Sequence, residues 1–163
     1  MKKLIVSSMV VLSLAFAPLA GAQAPSQPAW MSTPVKEMVE KARAATKQVP
    51  LAEFKGIVDS KADAVILDVR NPDEYAAAHV PGAVSLARGL LEFNIWTVVP
   101  DKNKTIYVYC RTGGRAALAT KQLNELGYKN AFAVREGIRD WVKAGYPIKT
   151  SITDDEVVIS LAK

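Results

Sequence analysis

Between Thr105 and Gly127 the chain passes through three textures in succession. Thr105-Ile106-Tyr107-Val108-Tyr109 is apolar or aromatic almost throughout. Cys110-Arg111-Thr112-Gly113-Gly114-Arg115 is a glycine-rich loop flanked by arginines. From 115 to 126 apolar residues recur at helical spacing (Ala116, Ala119, Leu123, Leu126) until Gly127 ends the pattern. A run without polar alternation reads as a strand buried on both faces. A strand passing at once into a helix, repeated along the chain, calls for a parallel sheet with right-handed crossovers. The repetition is there: 65–69 reads as a strand, 73–78 as a short helix, 82–86 as a strand and 88–98 as an irregular or helical connection. Residues 131–134 read as a further strand and 137–144 as a last helix anchored by Trp141. The expected fold is a single α/β domain, a mainly parallel β-sheet with helices on both faces.

Cys110, the one cysteine of 163 residues, falls where the apolar strand runs out into the loop. Two readings stand. A free cysteine is commonly a small core hydrophobe. A thiol set among arginines, backbone N–H groups and a helix N-terminus is instead a candidate thiolate nucleophile. Ligand sites at the C-terminal ends of parallel strands bring the two readings level.

The start of the chain bears on that choice. Met1-Lys2-Lys3 is basic, residues 4–17 are apolar with three serines, and Pro18-Leu19-Ala20-Gly21-Ala22 closes with small residues. This pattern reads as a secretory signal peptide cleaved after Ala22. Its apolar run falls short of the ~20 residues needed to span a bilayer, and no cysteine follows to carry a lipid. A soluble periplasmic or secreted protein is expected. One cysteine forms no internal disulfide, so an oxidising compartment would hold a free thiol, which favours a reactive role. A dithiol oxidoreductase is excluded for this chain alone, and one Cys with one His supports no metal site.

Export of Lys2 and Lys3 with the signal removes two of 21 basic residues facing 16 acidic ones. The mature chain is then only mildly basic, its charges scattered, with no basic stripe for nucleic acid. The expected organisation is a signal peptide at 1–22, a proline-containing linker at 23–33, an N-terminal helix at 34–49, the main domain at 50–150 and a C-terminal tail at 151–163. Pro34 opens the helix, with Val35, Met38, Val39, Ala42 and Thr46 on one face, either packed on the domain or turned to a partner. Residues 51–58 read as another short helix, and Val157-Val158-Ile159 as an edge strand or docked tail.

Three segments together resemble the rhodanese domain, the sulfurtransferase fold. They are Leu67-Asp68-Val69-Arg70-Asn71-Pro72-Asp73-Glu74-Tyr75 with His79-Val80-Pro81-Gly82-Ala83; Tyr109-Cys110-Arg111-Thr112-Gly113-Gly114-Arg115; and Gly127-Tyr128-Lys129-Asn130-Ala131 running to Trp141 and Ala144-Gly145-Tyr146-Pro147. They span 51–148. Two positions depart from the family pattern: Glu136 replaces the first of a usual glycine pair, and Ala78 replaces a glycine before His79.

The resemblance implies a sulfurtransferase. Cys110 attacks the outer sulfur of thiosulfate or a related donor and becomes a persulfide, which passes its sulfur to a thiol or to cyanide. Arg111, Thr112, Gly113, Gly114 and Arg115 surround the charged sulfur, and no cofactor beyond that covalent intermediate is needed. Partners are a small-molecule donor, a thiol acceptor and an exported protein of sulfur metabolism. Asp68, Arg70 and Glu74 are assigned structural ion pairing around the first strand. His79 is a turn residue rather than a base, and Arg88 and Phe93 are candidates for the pocket rim. Two alternatives are a sulfur carrier without turnover and, on the same fold, a phosphatase or arsenate reductase. Those last enzymes use Cys-(x)5-Arg around a tetrahedral oxyanion, whereas Arg115 gives Cys-(x)4-Arg, a tighter loop suited to a sulfur atom.

Overall fold

The computed structural model describes residues 29–151 and Val157, with side chains from residue 34 onward. The signal peptide, the first part of the linker and most of the tail lie outside the described residues. Helix α1 (Ala29–Ala44) leads into strand β1 (Lys47–Val49), α2 (Leu51–Asp59), β2 (Val65–Asp68), α3 (Pro72–Ala77) and β3 (Ala83–Ser85). A 3-10 turn (Arg88–Leu90) then enters α4 (Leu91–Val98), followed by β4 (Ile106–Tyr109), α5 (Gly114–Glu125), β5 (Ala131–Val134) and α6 (Ile138–Lys143). The five strands form one sheet in the order β1-β5-β4-β2-β3. Every pairing is parallel, as the alternating pattern required.

Chain direction assigns the helices to faces. The steps from β1 to β2 and from β2 to β3 move one way across the sheet, while those from β3 to β4 and from β4 to β5 move the other way. Right-handed crossovers therefore place α2 and α3 on one face and α4 and α5 on the opposite one. The core divides accordingly. Leu67, Val69, Leu91, Ile95, Val108, Cys110, Ala116 and Leu123 make one apolar layer. Phe54, Ile66, Val80, Tyr109, Ile138, Trp141 and Ile148 make the other. Trp141 anchors the second as expected, fully buried and donating from Nε1 to the Pro147 carbonyl at 2.7 Å.

The expected N-terminal helix needs correction. The N-terminal helix does not occupy 34–49: it starts at Ala29, holds Pro34 inside it and stops at Ala44. Residues 47–49 are instead an edge strand in register with Phe132, Ala133 and Val134 of β5. Of the face expected either to pack on the domain or to turn to a partner, Val35 and Met38 are more than half exposed, whereas Ala42 is fully buried. Helix α1 packs on α5 through its C-terminal half. In the tail only Val157 is described, and it forms an antiparallel bridge with Ile148.

Candidate active site

The loop after β4 lies at the point where the sheet reverses its winding. From β4 the chain crosses to β5 on one side, and from β2 it crosses to β3 on the other. A crevice opens between two such strand ends, the recurring ligand position of open parallel sheets. Cys110 sits at this point, only 1% exposed and packed in the α4–α5 layer.

The loop is fastened from behind. The Cys110 carbonyl accepts the N–H of Ile138 at 2.9 Å and the Arg111 carbonyl that of Arg139 at 3.4 Å, tying the loop to the start of α6. Gly137, just before α6, has extended backbone, and its requirement is steric. A Cβ there would lie 2.2 Å from the Arg111 carbonyl carbon and oxygen. Gly113 is constrained twice. Its φ is +84°, the left-handed region that side chains disfavour, and a Cβ would lie 2.0 Å from the Arg135 carbonyl oxygen. From Gly113 the chain enters α5, whose first bond is the Ala117 N–H to the Gly113 carbonyl at 3.0 Å. With the carbonyls engaged, the N–H groups of Arg111, Thr112 and Gly113 have no protein acceptor among the described residues. They lie at a helix N-terminus, where backbone donors and the helix dipole favour an anion.

Arg115, five residues after Cys110, brings a positive charge that couples to the thiol. Its guanidinium also grips Glu74 in a two-pronged contact, Nη1 to Oε2 at 2.7 Å and Nη2 to Oε1 at 2.9 Å. The hydrogen bond from Arg115, with its positive charge, outweighs burial and holds the Glu74 carboxyl near pKa 2, against an ordinary 4.5. Glu74 itself is fixed because its Oε2 accepts the Asn71 N–H at 3.2 Å, closing the first turn of α3. The loop arginine is therefore anchored, with one partner in the framework and the other at the nucleophile.

The remaining expected residues fall into place. Asp68 and Arg70 form a buried pair, Nε to both carboxylate oxygens at 2.9 Å and Nη2 to Oδ2 at 2.5 Å, with Nη2 also donating to the Ala78 carbonyl at 2.6 Å. Tyr109 is buried beside Asp68, and burial followed by that negative charge pushes its hydroxyl well above the usual range. Ala78 is extended at φ −166°, so the missing family glycine costs nothing there. Glu136, the other departure, caps α2 from a distance, its Oε2 accepting the Leu51 N–H at 2.9 Å. His79 stacks on Tyr75 with ring centroids 4.0 Å apart, and its backbone bridges Lys149. Those contacts make it a structural post. Arg88 is engaged by Glu92 at 2.8 Å, and Phe93 stands 73% exposed on α4.

Sequence reasoning missed two contributors. The Glu74–Arg115 pair links motifs 41 positions apart, and its only local sign was the Asn71-x-x-Glu74 spacing of a capped helix start. Arg43 of α1 reaches the Arg135 carbonyl at 3.2 Å, and nothing in the pattern pointed to it. A cavity of about 520 Å³ elsewhere is lined by Ile57, Lys61, Ile66, Pro81, Pro147 and Lys149. It lies by the N-terminal ends of β2 and β3, away from the cysteine loop.

A cysteine at the switch point of a parallel sheet, in a glycine-rich loop opening a helix, is an arrangement with the donors and charge to accept an anionic group. The rhodanese-like domain model matches residues 51–144, more than half of the chain, and the chain belongs to that family. Thiosulfate sulfurtransferase PspE of Escherichia coli K12 is 42% identical over 62 residues, 38% of this chain and 60% of that protein. The first curated relatives are covered over 50–60% of their own lengths. Among solved structures, the polysulfide-sulfur transferase homodimer of Wolinella succinogenes superposes with a TM-score of 0.62 at 30% identity, over 72% of this chain and 88% of that one. A Rhodopseudomonas palustris protein of unknown function, described as a possible tyrosine phosphatase, superposes with a TM-score of 0.66 at 31% identity, over 71% and 93%.

Proposed function

We propose that this protein is an exported sulfurtransferase that moves a sulfane sulfur through a persulfide on Cys110. Support comes from the kinship with sulfur-transferring proteins and, above all, from a buried thiol at the head of α5 beside Arg115, in a loop whose N–H groups have no protein acceptor. The Cys110 thiolate attacks the outer sulfur of thiosulfate. The new S–S bond forms as the old one breaks, and sulfite leaves with the bonding pair, so a monoanionic persulfide and a sulfite dianion replace a thiolate and a thiosulfate dianion. An acceptor thiolate or cyanide then takes the outer sulfur and returns Cys110 to the thiolate. Splitting the transfer through a covalent intermediate replaces one difficult displacement with two easier ones.

The N–H groups of Arg111 to Arg115 receive the terminal sulfur charge. Exposed Arg111 meets the dianionic donor at the mouth, and Arg115 holds the thiolate from inside. No further cofactor takes part. The donor is thiosulfate or a related sulfane compound, the acceptor a thiol, and an exported sulfur-metabolism protein is the macromolecular partner. The four residues between Cys110 and Arg115 make a tight ring, which supports sulfur over phosphate or arsenate as the bound group.

The test is an intact mass after incubation of the chain lacking residues 1–22 with thiosulfate and removal of excess donor. One added sulfur atom, discharged by cyanide or a thiol and absent from Cys110→Ser, is the expected result. A free, alkylatable thiol with no gain would overturn thiosulfate transfer and leave loading by a protein partner, or oxyanion chemistry assayed with a phosphate ester and arsenate.

A further inference from the structure

Helix α1 lies outside the matched family segment at 51–144, yet it reaches the back of the cysteine loop. Arg43, on the last turn of α1, donates from Nη1 to the Arg135 carbonyl at 3.2 Å. That same carbonyl oxygen is the atom a Cβ on Gly113 would strike, and Arg43 Nη2 stands 3.0 Å from the position of that Cβ. One guanidinium thus contacts the turn before α6 and faces the glycine on which the cysteine loop pivots into α5. One turn earlier, both Cγ atoms of Val39 lie 3.7 Å from the Cβ position of Gly114. Between them Ala42 is fully buried. Two positions one turn apart on one helix, Val39 and Arg43, thus meet two consecutive loop glycines and the turn beneath them.

We propose that Arg43 is a positioning residue for sulfur transfer, holding the Gly113 pivot against the Arg135 carbonyl and adding its positive charge behind the anion-binding loop. This rests on the sulfurtransferase reading for its substrate, but the geometry is independent of it. The physical case has two parts. A loop of N–H donors serves an anion only if it is already in place, and small displacements at such a site are costly. Among the described residues, the guanidinium's ion-pair partner is Glu40 at 3.9 Å, so no close two-pronged carboxylate there cancels the charge facing the loop. Arginine suits the position because its fork holds a carbonyl with one nitrogen while the other faces the glycine, which a lysine ammonium does not reproduce.

The experiment compares the full chain with Arg43→Ala, Arg43→Gln and Arg43→Lys. Cys110 is alkylated with neutral iodoacetamide and with anionic iodoacetate, and thermal unfolding and thiosulfate:cyanide kinetics are measured beside it. Arg43→Ala and Arg43→Gln are expected to unfold near the parent temperature and to lower kcat/KM for thiosulfate roughly ten- to hundredfold. They should also lower the iodoacetate-to-iodoacetamide rate ratio, because the charge behind the loop is gone. Arg43→Lys should restore the ratio but only part of kcat/KM. An unchanged ratio in Arg43→Ala and Arg43→Gln overturns the proposal. So do equal losses with both reagents that merely track a lowered unfolding temperature, which would leave α1 as a cover. If the parent chain does not turn over thiosulfate at all, the functional reading fails while the alkylation ratio still decides the role of Arg43.

Discussion

Glu74 and Arg115 meet through two parallel hydrogen bonds of 2.7 and 2.9 Å, joining the capped start of α3 to the first turn of α5. The contact turns a flexible side chain into a fixed one beside Cys110. A two-pronged arginine–carboxylate pair specifies orientation as well as distance. Glu74→Gln keeps the shape and loses the charge, so Arg115 should swing and the thiolate lose its steadiest neighbour. The expected outcome is a fall of about tenfold or more in kcat/KM for thiosulfate, an effect on the order of 1.4 kcal/mol. Steady-state kinetics beside urea unfolding at the same pH read the catalytic and the stability effects separately.

The same pair sets an acid limit. Because the Glu74 carboxyl is lowered in the fold to about 2 from 4.5, its contribution to stability is fully present above the ordinary carboxylate value and is lost as pH falls toward 2. Unfolding measured between pH 6 and pH 2 (roughly the carboxylate window) should show a decline in the parent chain that is shallower in Glu74→Gln. The two curves should converge at the acid end. Parallel curves would mean that Glu74 carries no linked proton.

Gly113 admits no side chain. Gly113→Ala brings a left-handed backbone penalty of roughly 1–2 kcal/mol and a methyl 2.0 Å from the Arg135 carbonyl oxygen. The loop must lift from the turn beneath it, so persulfide formation should be lost while the secondary structure persists. Circular dichroism with the thiosulfate mass assay separates the two. Gly82 has a similar positive φ but open space around it. Gly82→Ala should therefore cost stability without touching sulfur transfer.

Much of this was legible from the sequence because the two central strands, β2 and β4, are strongly apolar. Residues 65–69 and 105–109 leave no choice but burial, and the helix after Cys110 carries its own inner stripe. Strand β1 was not legible: Lys47-Gln48-Val49 has one apolar residue, and it is a strand only because β5 offers an unpaired edge. Pro34 suggested a helix start by the usual rule, but α1 begins five residues earlier and carries the proline inside. Val35 and Met38 share a helical period with Ala42, so the sequence alone does not separate the packed from the outward part of that face, and α5 is met only by the later turns. Arg115 was legible as a loop cation. Its tether was not, since no local pattern joins residues 41 positions apart.

The buried pair behind the site gives the last prediction. Asp68 is fully buried and Arg70 is 5% exposed, and burial opposes the arginine's charge while hydrogen bonding and attraction to Asp68 outweigh it and raise its pKa. Arg70→Met leaves a carboxylate buried beside Tyr109 and deprives the Ala78 carbonyl of its donor. A loss of about 3–5 kcal/mol is expected for a buried charge stripped of its partner. Arg70→Met with Asp68→Asn removes the stranded charge and should recover part of that loss, because the polar oxygen that remains asks for a hydrogen bond, not a counter-ion. Urea unfolding of the single and double variants measures the difference. A double variant no more stable than the single would mean that the Arg70 contact to the Ala78 carbonyl, rather than the ion pair, holds the C-terminal end of β2 against the turn that follows α3.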